Sequence, residues 1–164
     1  RFVAEHGILV VPPVKWYQAP AGLKAMMDRL VCADGANPHP TLTGGKDPKR
    51  AKEVELAGWD YPRHLRGRTF GVVVHGDAAG TGVLRRIFMD WAADMKLVPV
   101  EGADIDRMIG YYEPYATSHE ALDRDEALHA EVRNVALALH ARTVEVRAGR
   151  CGRADEGLQD PRPK

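Results

Sequence analysis

The stretch from Gly7 to Leu30 reads GILVVPPVKWYQAPAGLKAMMDRL and predicts a strand, a loop and a helix, in that order. Ile8 to Val11 is a short continuous run of apolar side chains, most of them branched, which is typical of a strand buried on both faces of a parallel sheet. The chain then turns at two prolines, and Pro20 suits the first turn of a helix. Apolar residues follow at spacings of three and four and predict an amphipathic helix; they are Leu23, Met26, Met27 and Leu30.

A second unit of the same kind lies in the middle of the chain. Thr69 to His75, TFGVVVH, predicts a buried strand that runs directly into the glycine-bearing loop Gly76 to Gly80. The spacing of the apolar residues after this loop predicts a helix with one apolar face, formed by Leu84, Ile87, Phe88, Trp91 and Met95. Between the two units, residues 32–68 are rich in Gly, Pro and charge, and only Ala51 to Ala57 favours a short helix. We expect this long insertion to act as a lid, an oligomer arm, or both.

The last part of the chain predicts one more strand and one more helix. Leu97 to Val100 is the strand candidate, and the helix is expected to begin near Asp123, which has capping-box spacing to Glu126. The apolar stripe of this helix is Leu128, Val132, Val135 and Leu139. We expect one domain over residues 1–149 and a disordered polar tail over 150–164. Alternating strands and helices predict an α/β fold whose ligands bind beyond the carboxyl ends of the parallel strands.

Composition excludes several classes of function. The 23 basic and 23 acidic residues cancel, so we expect neither nucleic acid nor a membrane surface as a partner. Cys32 and Cys151 have no ligand-like spacing, which favours a reducing, cytoplasmic setting for a soluble protein. We find no GxSxG elbow, Walker loop or clustered Cys and His motif, and we expect no metal site.

The motif PPVKW, followed by AGLK and a helix ending in MMDRL, resembles the cofactor loop of NADPH-dependent FMN reductases and related flavodoxin-like quinone reductases. This resemblance implies that Pro13, Val14, Trp16 and Tyr17 line an FMN ring, because an aromatic face and a rigid backbone suit a flat polarisable ligand. Lys15 stands where the family commonly has Tyr. It either stabilises a reduced, anionic flavin or is a solvated surface charge.

The second loop lies where the same family places its second ring-contacting loop. The resemblance therefore implies flavin contacts from His75, Gly76, Asp77 and Gly80, since glycines allow a close approach and amides before a helix can donate to flavin oxygens. As a bare motif, a glycine-bearing turn before a helix is common.

The resemblance covers residues 6–148 and corresponds to the family from its third strand onward. It implies a flavodoxin-like fold that is truncated at its N-terminus, without the first strand, the phosphate loop or the second strand. In a sheet ordered 2-1-3-4-5 this leaves the third strand as an exposed edge, so we expect a homodimer or homotetramer.

The function that the resemblance implies is hydride transfer from NAD(P)H to FMN and then to a quinone or similar acceptor. The cofactor carries this chemistry, so no side chain is named as catalytic. The alternative is a non-catalytic binding or assembly module that has lost the flavin phosphate site.

Two further clusters each leave two interpretations open. The block Gly58 to Arg68 concentrates basic side chains that would contact a dinucleotide phosphate or pin the insertion to a neighbouring subunit; they are Arg63, His64, Arg66 and Arg68. An aromatic cluster after the last strand would wall a substrate pocket or lie at a subunit contact; its members are Tyr111, Tyr112 and Tyr115.

Overall fold

The computed structural model describes residues 5–34, 47–58, 63–109 and 114–150 of the chain. These residues form one parallel sheet of three strands in the spatial order β1-β2-β3. The strands are β1 (Gly7–Val10), β2 (Thr69–Gly76) and β3 (Val98–Met108). The predicted α/β class with a parallel sheet is confirmed, and the strand order is consistent with a flavodoxin-like fold.

Helices connect and cover the strands. They are α1 (Ala21–Asp34), α2 (Pro48–Leu56), α3 (Thr81–Asp94), α4 (Ser118–Asp123) and α5 (Glu126–Arg147), with a short 3-10 helix at Tyr115–Thr117 before α4. No helix within the described ranges is long and apolar enough to cross a membrane. The tail over 150–164, predicted to be disordered, lies outside the described residues from position 151 onward.

The sheet is buried between helices on its two faces. On one face, Phe70, Val72 and Val74 of β2 pack with residues of α1 and α3, among them Met27 and Phe88. On the other face, Val73 packs with Val135 and Leu139 of α5. Because successive side chains of a strand point to opposite faces, β2 is buried on both, as a central parallel strand should be.

Strand β1 is covered on one face only. Ile8 is buried, but Leu9 is 40% exposed and Val11 is 55% exposed, so the prediction of burial on both faces is wrong for this strand. Helix α5 reaches β1 near its start, where the Thr143 hydroxyl occupies the space that a side chain on Gly7 would need. The rest of that face of β1 has no covering helix among the described residues.

Strand β3 is much longer than the predicted Leu97 to Val100, and it contains a bulge. Phe70 pairs with Pro99 but Val72 pairs with Asp104, so two steps along β2 are matched by five along β3. The bulge places three extra residues in β3 opposite Gly71.

The helix boundaries also differ in detail from the predictions. Asp125, not Asp123, caps α5, and its side chain accepts from the Leu128 amide at 3.0 Å. Helix α4 was not predicted. In α3 the predicted face is right except at Ile87, which is 41% exposed, while Ala92 is fully buried in its place.

Candidate functional site

The two loops predicted to carry the site meet at the carboxyl edge of the sheet. The Val14 amide donates to the carbonyl of His75 at 2.7 Å, and the His75 amide donates to the carbonyl of Pro12 at 3.1 Å. Farther along, the Tyr17 amide donates to the carbonyl of Ala79 at 3.0 Å. The loop after β1 and the loop after β2 are therefore hydrogen-bonded to each other, and the predicted residues of both lie together at this edge of the sheet.

The first loop ends in a tight turn with two aromatic residues at its tip. Lys15 and Gln18 exchange backbone hydrogen bonds of 2.9 and 3.1 Å, and the two residues between them have positive φ, 46° for Trp16 and 67° for Tyr17. Positive φ at both central residues is the requirement of a type I′ turn, in which Asn and Gly are strongly preferred. Two bulky aromatics in the left-handed region are strained, and such strain is concentrated at functional sites.

The side chains of this loop differ sharply in exposure. Trp16 is 75% exposed and Tyr17 is 50% exposed, whereas Val14 is only 2% exposed and belongs to the core. Lys15 is exposed and Pro13 is half-buried. Trp16 is thus the most accessible aromatic face of the loop, while the side chain of Val14 contributes packing and not a ligand surface.

The second loop requires glycine at both of its ends. Gly76 has φ 148°, and a Cβ there would lie 2.9 Å from a methyl carbon of Val14. Gly80, the residue before α3, has φ 103°, and a Cβ there would lie 2.5 Å from the Cα of Tyr17. Any other residue at either position would push the two loops apart. Between the two glycines Asp77 is exposed, and His75 before them is half-buried.

The end of β3 also forms part of this edge of the sheet, which no motif in the sequence indicates. The Ile109 amide donates to the carbonyl of Gly76 at 2.9 Å, and Met108 is 51% exposed beside it. Apolar residues at Ile105, Met108 and Ile109 are the sequence pattern that favours a longer strand here, but the charged residues between them obscure it.

An ion-pair network ties the start of α3 to β3 next to the second loop. Arg85 contacts both Asp104 and Asp106, the latter at 2.7 Å, and the hydroxyl of Thr81 lies 3.3 Å from Asp106. The hydrogen bond to Asp106, above all, raises the pKa of Arg85 beyond its ordinary value. This network fixes the first turn of α3, and with it the position of Gly80.

A second ion pair ties the end of β3 to α5. The guanidinium of Arg107 binds both carboxylate oxygens of Glu131. This contact lowers the pKa of Glu131 and raises that of Arg107. Arg107 lies beside His75 in the strand register, so the pair borders the site on the α5 face of the sheet.

The basic block before β2 lies at the opposite end of the sheet. The Gly67 amide donates to the carbonyl of Lys96, and the Val98 amide donates to the carbonyl of Arg68, both at the starts of the strands. Eight residues of β2 separate this edge from the two loops, roughly 23 Å at the usual rise of a strand. The described basic residues of the block, Arg63, His64, Arg66 and Arg68, therefore lie at the edge of the sheet opposite the two loops.

The remaining predicted residues are only partly described. Tyr111 and Tyr112 lie outside the described residues, and Tyr115 begins the short 3-10 helix. Within the described parts of the chain, no group of three or more His, Cys, Asp or Glu side chains is arranged to hold a metal ion. Comparison of the chain with protein-family models, with curated proteins and with solved structures returned no match.

Proposed function

We propose that this protein is a flavodoxin-like oxidoreductase that uses FMN to pass hydride from NAD(P)H to a quinone or similar small acceptor. One observation carries the proposal: the exposed Trp16 is held at the tip of a strained turn that is hydrogen-bonded to a glycine-bearing loop at the carboxyl edge of a parallel sheet. This edge is where open α/β sheets bind ligands.

The two loops fit the ring portion of a flavin. Trp16 offers an exposed aromatic face for stacking, and the loop between Gly76 and Gly80 offers backbone groups without side-chain obstruction at its ends. Lys15 is the one cation in the two loops and is exposed, so it is the residue placed to meet negative charge on a bound ligand. FMN, when bound, would supply the hydride chemistry, and the protein would bind and orient it.

The direct test is a titration of the purified protein with FMN, followed by flavin fluorescence and visible absorbance. We expect saturable quenching and a shifted flavin spectrum, and oxidation of NADH or NADPH that depends on added FMN and a soluble quinone. Absence of any FMN binding at about 100 µM, a Kd that corresponds to roughly −5.5 kcal/mol, would refute the proposal.

A non-catalytic binding module is the second candidate. The exposed apolar side chains of Leu9 and Val11 favour it, because they form a surface for association that no redox function requires. The same experiment distinguishes the two candidate functions, because a binding module would show no NAD(P)H oxidation with FMN and quinone present.

We also propose that the chain self-associates through the edge of β1 that faces away from β2, with which no described strand pairs. The carbonyls of His6 and Pro12 accept from β2, so the backbone groups of Gly7, Leu9 and Val11 alternate outward. Antiparallel pairing of two copies about Leu9 would satisfy these outward groups, since Gly7 then lies opposite Val11 of the other copy.

Charge and sequence support this register. Glu5 and Lys15, both exposed, lie on opposite sides of the pairing centre, so each would approach the opposite charge on the other copy. Pro13, which lacks an amide hydrogen, would end the ladder. The pairing would also bring the two exposed Leu9 side chains together on one face.

A further inference from the structure

Trp16 and Tyr17 are neighbours in the sequence but have different surroundings in the structure. Trp16 is 75% exposed, and no part of the second loop hydrogen-bonds to it. Tyr17 is held twice: its amide donates to Ala79 at 3.0 Å, and its ring lies against the backbone of Gly80.

The contact between Tyr17 and Gly80 leaves no room for a side chain. A Cβ on Gly80 would lie 2.5 Å from the Cα of Tyr17 and 2.7 Å from the ring carbons Cγ and Cδ1. Because the backbone atom itself is in the way, a change of the Tyr17 rotamer cannot relieve the clash. The first loop would have to move away from α3, and Trp16, one residue away, would move with it.

This contact also maintains the unusual backbone of the turn. Trp16 and Tyr17 both adopt left-handed φ values that aromatic residues rarely occupy, so the turn needs external contacts to hold it. The described contacts of that kind are the hydrogen bond to Ala79 and the packing on Gly80.

We propose that Tyr17 and Gly80 form a positioning pair that sets the orientation of Trp16, and that Trp16 alone of the two aromatics contacts the ligand. The identity of the ligand rests on the proposed function, whereas the coupling between Gly80 and Trp16 does not. Tyr17 is accordingly an anchor of the loop and not a wall of the ligand site.

The coupling is measured by ¹⁹F NMR of protein labelled with 5-fluorotryptophan. The chain has 3 tryptophans, and Trp16→Phe assigns the Trp16 resonance by its loss. We expect Gly80→Ala to shift or broaden that resonance. The resonance of Trp91, which packs edge-on against Phe70 in the core at 6.0 Å, should keep its chemical shift and thereby report an intact fold.

Gly149→Ala is the matched control. Gly149 also has positive φ, 66°, but nothing lies within 4 Å of a Cβ built there. The Gly149→Ala variant therefore has a side chain in the left-handed region but no steric clash. We expect its Trp16 resonance and its FMN affinity to equal those of the parent.

Two variants of Tyr17 separate anchoring by its ring from a contact of its hydroxyl with the ligand, and they do not depend on the folding of Gly80→Ala. Tyr17→Phe keeps the ring on Gly80 and should bind FMN like the parent, whereas Tyr17→Ala should weaken binding by roughly tenfold and shift the Trp16 resonance, as expected for a misplaced binding group. If Tyr17→Phe weakens FMN as much as Tyr17→Ala, the hydroxyl contacts the ligand and the proposal is wrong.

The remaining outcomes are also decisive. An unchanged Trp16 resonance in both Gly80→Ala and Tyr17→Ala would overturn the coupling. A shifted Trp16 resonance in a protein whose parent form does not bind FMN would support the coupling and refute the flavin function instead.

Discussion

The carboxylate of Asp34 accepts a hydrogen bond of 2.7 Å from the backbone amide of Leu65. Asp34 is the last residue of α1 and is 1% exposed, and Leu65, equally buried, leads into β2. The guanidinium of Arg63 lies 3.5 Å from the other carboxylate oxygen, and the His64 amide donates to the Asp34 carbonyl. One buried side chain thus fastens the far end of the insertion to the end of α1, at the amino edge of the sheet.

Asp34→Ala is expected to destabilise the protein without weakening ligand binding. The change leaves the buried Leu65 amide unsatisfied, which should cost about 2 kcal/mol and lower Tm by roughly 4 to 8 °C. Thermal unfolding followed by circular dichroism measures this loss. Asp28→Ala, which removes an exposed ion pair to Lys24, is the control and should change stability by less than about 0.5 kcal/mol. Loss of FMN binding in folded Asp34→Ala would contradict the placement of the site at the opposite edge.

Trp16→Ala should weaken FMN binding by roughly tenfold or more, because it removes both the stacked face and its buried area. Asp77→Ala should cost less, since the backbone groups of the second loop remain. Fluorescence titrations of both variants and the parent in one buffer compare the affinities. Equal affinity of Trp16→Ala and the parent would show that the loop does not bind flavin, and the non-catalytic module would then be the better hypothesis.

Riboflavin and FMN should bind with similar affinity, within roughly fivefold. The two loops provide an aromatic face and backbone groups for the ring, but Lys15 is their single cation for a phosphate. Any FMN should accordingly be held more weakly than at a site with a full phosphate loop. Competition between the two ligands gives the ratio directly, and sub-micromolar FMN affinity combined with negligible riboflavin binding would contradict this expectation.

The ion pair between Arg107 and Glu131 should make part of the stability depend on pH. Arg107 lowers the pKa of Glu131 below its usual 4.5, so the pair stabilises the folded state above that pH. The contribution is lost as the pH falls through the lower folded value and the carboxylate becomes protonated. Tm of the parent should therefore exceed that of Glu131→Gln slightly at pH 6, and the difference should vanish in acid. High salt, which screens exposed charges, is the control and should also reduce the difference at pH 6.

Leu9→Lys should convert a self-associated protein into a monomer. The substitution places two like charges at the centre of the proposed β1 pairing, where the exposed Leu9 side chains would otherwise meet. Multi-angle light scattering at micromolar concentration compares the variant with the parent. Leu137→Lys, at another exposed apolar position, on α5, should keep the parental mass. A well-folded monomeric parent would refute association through this edge.

The sequence was sufficient to predict the elements that carry strong local patterns. Both strand, loop and helix units were predicted close to their observed bounds, because β2 and the faces of α1 and α3 are read directly from apolar periodicity. Strand β3 was predicted far too short. Its second half carries Asp104, Asp106 and Arg107, and these charges are compatible with a half-buried strand because Arg85 and Glu131 meet them in three dimensions. No local pattern contains that information.

The candidate site was predictable in its residues but not in its geometry. The sequence placed Trp16 and Gly80 on loops at strand ends, and parallel topology predicted that those loops would converge. The strained turn and the close approach of Tyr17 to Gly80 depend on a left-handed backbone at Trp16 and Tyr17. Aromatic residues disfavour that conformation, so the local sequence predicts a different backbone. The covering of β1 was mispredicted for a related reason: burial of Leu9 depends on neighbours that its own sequence does not reveal.

The three extra residues in β3 reverse which of its side chains, even-numbered or odd-numbered, face α5. Before the bulge, even-numbered residues such as Val100 face α5, and after it odd-numbered residues such as Ile105 do. If β3 continued the alternation of its first half without a bulge, Asp104 and Asp106 would face the apolar side of α5 and Ile105 would face Arg85. The bulge therefore allows the carboxyl half of one strand to present acidic side chains to Arg85 on α3 and an apolar side chain to α5.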